Sequence, residues 1–101
     1  MNTVLSTISL ANKSGSVKSG SDTVMREIRA KNAKLVIIAE DASELTKKTF
    51  SDKCAYYGVP VLNYGTKEEL SAALGKGERS VVCITSDGFK LLVLKKIGEL
   101  K

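Results

Sequence analysis

Histidine and tryptophan are both missing from these 101 residues, and aromatic side chains make up only 5% of them. Without histidine no His-based triad or dyad can be assembled. So few rings leave little for rows of exposed aromatics that stack on a single nucleic-acid strand. Cysteine occurs twice, at Cys54 and Cys83, with no Cys-x-x-Cys. Two isolated thiols make no zinc site. One falls in an expected helix and the other in the strand "SVVCIT", so both read as buried free thiols, which fits a reducing cytoplasm. No window holds the roughly 18 apolar residues of a membrane span. The N-terminus lacks the charged segment and long apolar run of a signal peptide. We expect a cytoplasmic protein with no membrane partner.

Hydrophobic content is 43%, enough for a core at a length that favours one domain over residues 1–101. The net charge of +5 is unevenly placed. Residues 1–34 carry six Lys or Arg against two acids, and residues 35–101 carry ten against nine. A basic patch on a small domain favours nucleic acid over other anionic partners. A merely solvated basic surface is the alternative.

Helical and extended patterns alternate. Val4, Leu5, Ile8 and Ala11 recur at helical spacing, with Gly15 as a stop. A short extended piece near Val17 follows. Ser19 or Ser21 then caps a helix to about Lys31, with Val24, Met25 and Ile28 inward. "AKLVIIAED" holds an unbroken apolar run, Leu35 to Ala39, as in a strand covered on both faces. Residues 43–57 read as a helix with Lys47, Lys48 and Lys53 outside, followed by a strand from Val61 to Tyr64. Thr66 and Glu69 form a capping box for a helix to about Leu74. After the loop "GKGER" and the strand "SVVCIT", Asp87 caps a last helix, with Phe89, Leu92, Val93 and Ile97 on its packed face. The pattern is α/β, with sheet strands between helical layers.

Catalytic motifs are lacking. "SGSD" is no nucleophile elbow, and "GKGER" is no phosphate loop. Glu40 and Asp41 end the central strand and could hold magnesium. A first-turn charge or cap for the following helix is the favoured use of Asp41 and Ser43. Two glycine-containing loops remain. In "KSGSD", Gly20 lets the backbone approach a ligand, Ser19 and Ser21 offer hydroxyls, and the helix start offers free N–H groups. Lys18 and Arg26 can neutralise phosphates. Arg26 follows Asp22 by four residues, so both share one helix face. Asp22 and Thr23 stand where a side chain reaches a base edge. In "LGKGERS", Gly75 and Gly77 shape a loop with Lys76 and Arg79 at its tip. Ordinary turns closed by helix caps are the alternative use of both segments.

"SGSDTVMREIRAKNAKLVIIAEDAS" and "KCAYYGVPVLNYGTKEELSAALGKGERSVVCIT" resemble the ribosomal L-seven-Ae family of kink-turn RNA-binding proteins, closest to its small bacterial, YlxQ-like members. The resemblance covers roughly residues 4–90. It implies a three-layer α/β/α sandwich around a central four-stranded mixed sheet, no enzyme activity and no cofactor or metal. It also implies a structured RNA as partner, with the ribosome as a candidate; we expect a monomer. In the family the binding helix opens with Gly-x-Asn-Glu-x-x-Lys. The matching positions are Gly20, Asp22, Thr23 and Arg26. Asn stands as Asp, which accepts but cannot donate when ionised, and Glu as the shorter Thr. An acidic position after the central strand is Ser43. The second family loop, which usually carries an apolar residue, reads Lys76, Gly77, Glu78, Arg79 and runs into Ser80. The implied RNA-binding set is therefore Lys18 to Thr23, Arg26, Ser43 and Gly75 to Ser80. A protein-interaction module that kept the fold and lost kink-turn recognition is the rival reading.

Overall fold

A computed structural model describes residues 2–99. In chain order the elements are α1 (Thr3–Lys13), β1 (Val17–Ser19), α2 (Ser21–Arg29), β2 (Leu35–Ile38), α3 (Glu44–Tyr57), β3 (Val61–Asn63), α4 (Lys67–Leu74), β4 (Val81–Ile84) and α5 (Asp87–Glu99). The strands form one mixed sheet in the order β1-β4-β2-β3. β4 runs antiparallel to both β1 and β2, and β3 runs parallel to β2. The expected α/β/α sandwich with a four-stranded mixed sheet is what the chain forms.

Every residue of β2 and β4 is buried. This follows from their apolar sequences, LVII and VVCI, which leave no polar face to turn outward. Helices therefore cover both faces. α2 packs on β1, β4 and α3, while α1 packs on β1, α4 and α5. Val24 and Ile28 lie on the inner side of α2, and Val4, Leu5, Ile8 and Ala11 on that of α1. Asn12 Nδ2 ties α1 to α4 by donating to the Leu74 carbonyl at 3.3 Å.

Several boundaries differ from the sequence expectation. Neither Ser19 nor Ser21 caps α2. Its N-cap is Gly20, with φ of 94° and no side-chain cap bond. Only glycine takes that conformation without strain. α2 stops at Arg29 because Lys31 turns left-handed, with φ of 63°. That turn lets the Asn32 N–H reach the Glu27 carbonyl at 3.0 Å and closes the helix end. Ser86, not Asp87, caps α5, since its Oγ accepts from the Phe89 N–H at 3.3 Å. In α5 only Val93 is fully buried. Phe89, Leu92 and Ile97 are half-buried, while Leu91 and Leu94 are 64% and 37% exposed. The segment "FKLLVLKKIGEL" packs on α1 and β4 as expected, and its Leu100 lies outside the described residues.

Both cysteines are free and buried. Burial pushes the Cys54 thiol from 9.0 to about 11. Cys83 rises to about 12, chiefly by burial and secondarily through Glu27, against an opposing effect of Lys18.

Two predictions follow from this packing. Lys31→Gly should relieve the left-handed strain and raise stability by about 0.5–1 kcal/mol, read as a shifted urea midpoint. An unchanged or lowered midpoint would show that Lys31 is unstrained. The raised thiol values also set a pH dependence. The folded chain keeps protons that the unfolded chain releases near 9.0. Stability is then complete below the unfolded value of 9.0 and falls as pH climbs from there towards the folded values of about 11 and 12. Cys83→Ala should flatten that fall above about pH 9, relative to its own value at pH 7.

Candidate nucleic-acid interface

The strand directions collect the candidate residues. β1, β2 and β3 all run one way, so they end at one edge of the sheet, where β4 begins. Backbone bonds lace that edge together. The Gly20 N–H donates to the Val81 carbonyl at 3.1 Å, Ala39 N–H to Ser80 at 2.9 Å, and Glu40 N–H to Gly65 at 2.7 Å. Three helices, α2, α3 and α4, therefore open at this edge. The two glycine-containing loops, 60 residues apart in Ser19 and Arg79, meet here side by side.

Two of these helix starts are closed by the protein itself. Ser43 caps α3, its Oγ accepting from the Thr46 N–H at 3.1 Å. The expected capping box closes α4, with Thr66 and Glu69 bonded reciprocally at 2.9 and 3.0 Å. Asp41 does not serve the helix that follows it. Its carboxylate accepts from the Lys67 N–H at 2.8 Å, closing α4 from 26 residues away. α2 differs. Among the described residues no group accepts from the N–H groups of Ser21, Asp22 or Thr23, and α2 alone of the five helices lacks a side-chain cap. Such a helix start presents donors and a partial positive charge to an anion.

Charge around α2 is also open. Lys18 stands exposed on the edge strand β1, and Arg26 is exposed one turn into α2, on the same face as Asp22. Among the described residues neither has an ion-pair partner, and neither do Arg29 and Lys76. Asp22, Met25, Arg26, Arg29 and Ala30 line an open depression of about 510 Å³. Arg29 was absent from the expected set, although its spacing three residues after Arg26 places it on that face. Two of the three outer lysines of α3 are more committed. Lys47 pairs with Glu44 at 3.7 Å and Lys48 with Asp52 at 3.2 Å.

The second loop is more structural than its sequence implies. Gly75 ends α4 in the left-handed conformation, and Lys76, Gly77 and Glu78 are exposed. Arg79 is not at the tip. Its Nε donates to Ser19 Oγ at 3.1 Å, and Nη1 donates to the carbonyls of Gly77 and Glu78 at 3.3 and 3.0 Å. Its backbone N–H donates to Ser71 Oγ at 2.8 Å, and that buried hydroxyl donates to the Lys67 carbonyl at 2.6 Å. Arg79 thus bolts the loop to the end of β1. Ser80 is half-buried and takes part through its carbonyl. Asp41, Lys67, Glu68, Ser71 and Glu78 line a neighbouring cavity of about 370 Å³. Asp41 and Lys67 carry no local signal for this role, because they lie 26 residues apart in sequence. Among the described residues no cluster of three or more metal-ligating side chains occurs, and no helix is long and apolar enough to cross a membrane.

The chain is similar to known proteins over most of its length. The model of the Ribosomal protein L7Ae/L30e/S12e/Gadd45 family matches residues 2–94. The RNA-binding protein YlxQ of Bacillus subtilis (strain 168) is 45% identical over 82 residues, covering 81% of this chain and 82% of the relative. The RNA-binding protein YlxQ of Enterococcus faecium is 39% identical over 93 residues, covering 92% and 85%. A Bacillus halodurans protein of unknown function, solved as a structure, superposes with a TM-score of 0.92 at 32% identity, covering 97% and 99% of the two chains. The 15.5kD RNA binding protein of Giardia lamblia shares the fold, with a TM-score of 0.79 at 24% identity over 95% of this chain and 82% of that one.

The Arg79 bracket predicts a stability effect. Arg79→Ala should lower the unfolding free energy by about 1–2 kcal/mol through loss of the Ser19 and carbonyl bonds. Arg79→Lys should recover little, because one ammonium cannot span the three acceptors. Equal urea midpoints for all three proteins would show that the bracket holds nothing.

Proposed function

This chain belongs to the Ribosomal protein L7Ae/L30e/S12e/Gadd45 family, and from that premise we propose that it is a non-enzymatic RNA-binding protein that holds a structured, sharply bent RNA against the edge where α2 opens. One observation carries the reading. The uncapped start of α2, with free N–H groups at Ser21, Asp22 and Thr23, lies between Lys18 and Arg26, which have no ion-pair partner among the described residues. Phosphates there would meet donors and positive charge together, in surroundings the protein has not already satisfied.

Base recognition falls to Asp22 and Thr23. An ionised Asp22 accepts from exocyclic amino groups, and Thr23 both donates and accepts at short range. Shape supplies the rest, since folded RNA is read by its bend and backbone as much as by base edges. The names of the Bacillus and Enterococcus relatives support RNA as the partner class. A reducing, cytoplasmic setting fits the two buried free thiols. The protein acts there as a monomer, with ribosomal RNA among the candidate ligands.

A second reading has its own support. Asp22 and Thr23 depart from the Asn and Glu of the family pattern, which fits a protein-interaction module on the same fold. Absorbance at 260 nm that copurifies with the protein and is stripped by high salt would count against that module.

The decisive titration uses a kink-turn RNA and the same RNA with its G·A pairs replaced by Watson–Crick pairs. We expect tighter binding to the first. Equal and strongly salt-dependent binding to both would reduce the site to a basic patch, and no binding to either would move the function to a protein partner. Arg26→Ala should weaken binding and lower the salt slope by roughly 0.7–0.9, the contribution of one phosphate contact. An unchanged slope would remove Arg26 from the interface.

A further inference from the structure

The α4 side of the same edge carries a cation that the free protein keeps occupied. Lys67, the first residue of α4, holds its ammonium 3.1 Å from the Glu78 carboxylate. The backbone is held at both ends of this pair, and the Glu78 side chain itself is 70% exposed. The Lys67 side chain is only 35% exposed, and its backbone N–H is held by Asp41. The Glu78 carbonyl is held by Arg79 Nη1, and Arg79 is itself anchored to Ser19 and Ser71. Glu78 therefore reaches across the cavity from a braced loop. Its neighbours differ: Lys18, Arg26 and Lys76 have no anion among the described residues.

We propose that Lys67 is a second phosphate-binding position of this interface, and that the Glu78 carboxylate occupies it in the free protein as a stand-in anion that the RNA backbone must displace. The inference rests on the RNA reading above. Glu78 would then weaken binding, although its loop faces the ligand. An RNA without a phosphate that can reach Lys67 leaves the pair intact and meets only the carboxylates of Asp41, Glu68 and Glu78 around the cavity. An RNA bent so that its backbone passes over α4 exchanges one anion for another at Lys67. The pair thus favours RNAs by the path of their backbone rather than by their bases.

The test is a double-mutant cycle on the intact chain. Wild type, Glu78→Gln, Lys67→Gln and the double variant are titrated against one kink-turn RNA over a series of salt concentrations. Thermal melts confirm that all four are folded. We expect Glu78→Gln to bind about threefold to tenfold more tightly, with a salt slope steeper by roughly 0.7–0.9 as Lys67 becomes free to release a counterion. In the Lys67→Gln background the same change should shift affinity less than about twofold. Equal tightening in both backgrounds would mean general repulsion by Glu78 and would overturn the proposal. Weaker binding by Glu78→Gln would also overturn it and would place Glu78 directly on a base. No binding by any of the four would instead sink the RNA reading itself.

Discussion

The antiparallel pairing of β2 with β4, Leu35 opposite Ile84 through Ile38 opposite Val81, is the contact on which the rest depends. Both strands are apolar throughout and buried throughout, so each needs a covering layer on both faces. α2 meets that need on one side of the β1–β4 pair, and α1 and α5 on the other. β1 and β3 extend the sheet at its two ends and keep the direction of β2. From this alone it follows that β1, β2 and β3 end together and that α2, α3 and α4 open together. The interface results from strand direction, with no sequence nearness between its parts.

At that edge the protein treats its polar groups in two ways. Around α3 and α4 it satisfies them internally, through Ser43, Thr66, Glu69, Asp41 and the Arg79 bracket. Around α2 it leaves backbone donors and cations open. Open helix-start donors beside positive charge make a favourable environment for an anion. The asymmetry also gives direction to the edge, since the open donors lie on the α2 side and three carboxylates surround the cavity on the α4 side.

Membership of the L7Ae/L30e/S12e/Gadd45 family and the asymmetry point the same way. The glycine at the start of α2 has a physical reason in this chain, because φ of 94° at Gly20 is a backbone conformation that a residue with a side chain adopts only under strain. A serine cap there would have consumed one of the backbone donors that stand open at this helix start. The retained basic residue, Arg26, brings a planar fork suited to phosphate where the family pattern has Lys. Asp22 and Thr23 change the donors and acceptors offered by the side chains there while leaving the backbone N–H groups of the helix start open.

Much was legible in residue patterns. The apolar run of β2, the capping box of α4, the burial of both thiols and the glycine turns at Gly20 and Gly75 all follow from local chemistry, which depends on neighbours a few positions away. Other features were settled elsewhere. Serine residues flanking Gly20 looked like caps, but the Gly20 N–H is drawn to Val81 on another strand and the chain turns at the glycine. Asp41 looked like a first-turn charge for α3 and closes α4 instead. Arg79 looked like a loop-tip cation and is folded back on Ser19. By itself the sequence determined the α/β class, the buried central strands and the basic character of the α2 segment, because periodicity, capping and charge are properties of short stretches. Only the tertiary structure decided which charges remain free and which are consumed. That depends on partners brought within hydrogen-bond distance by sheet pairing, 26 residues away for Lys67 and Asp41 and 60 for Arg79 and Ser19.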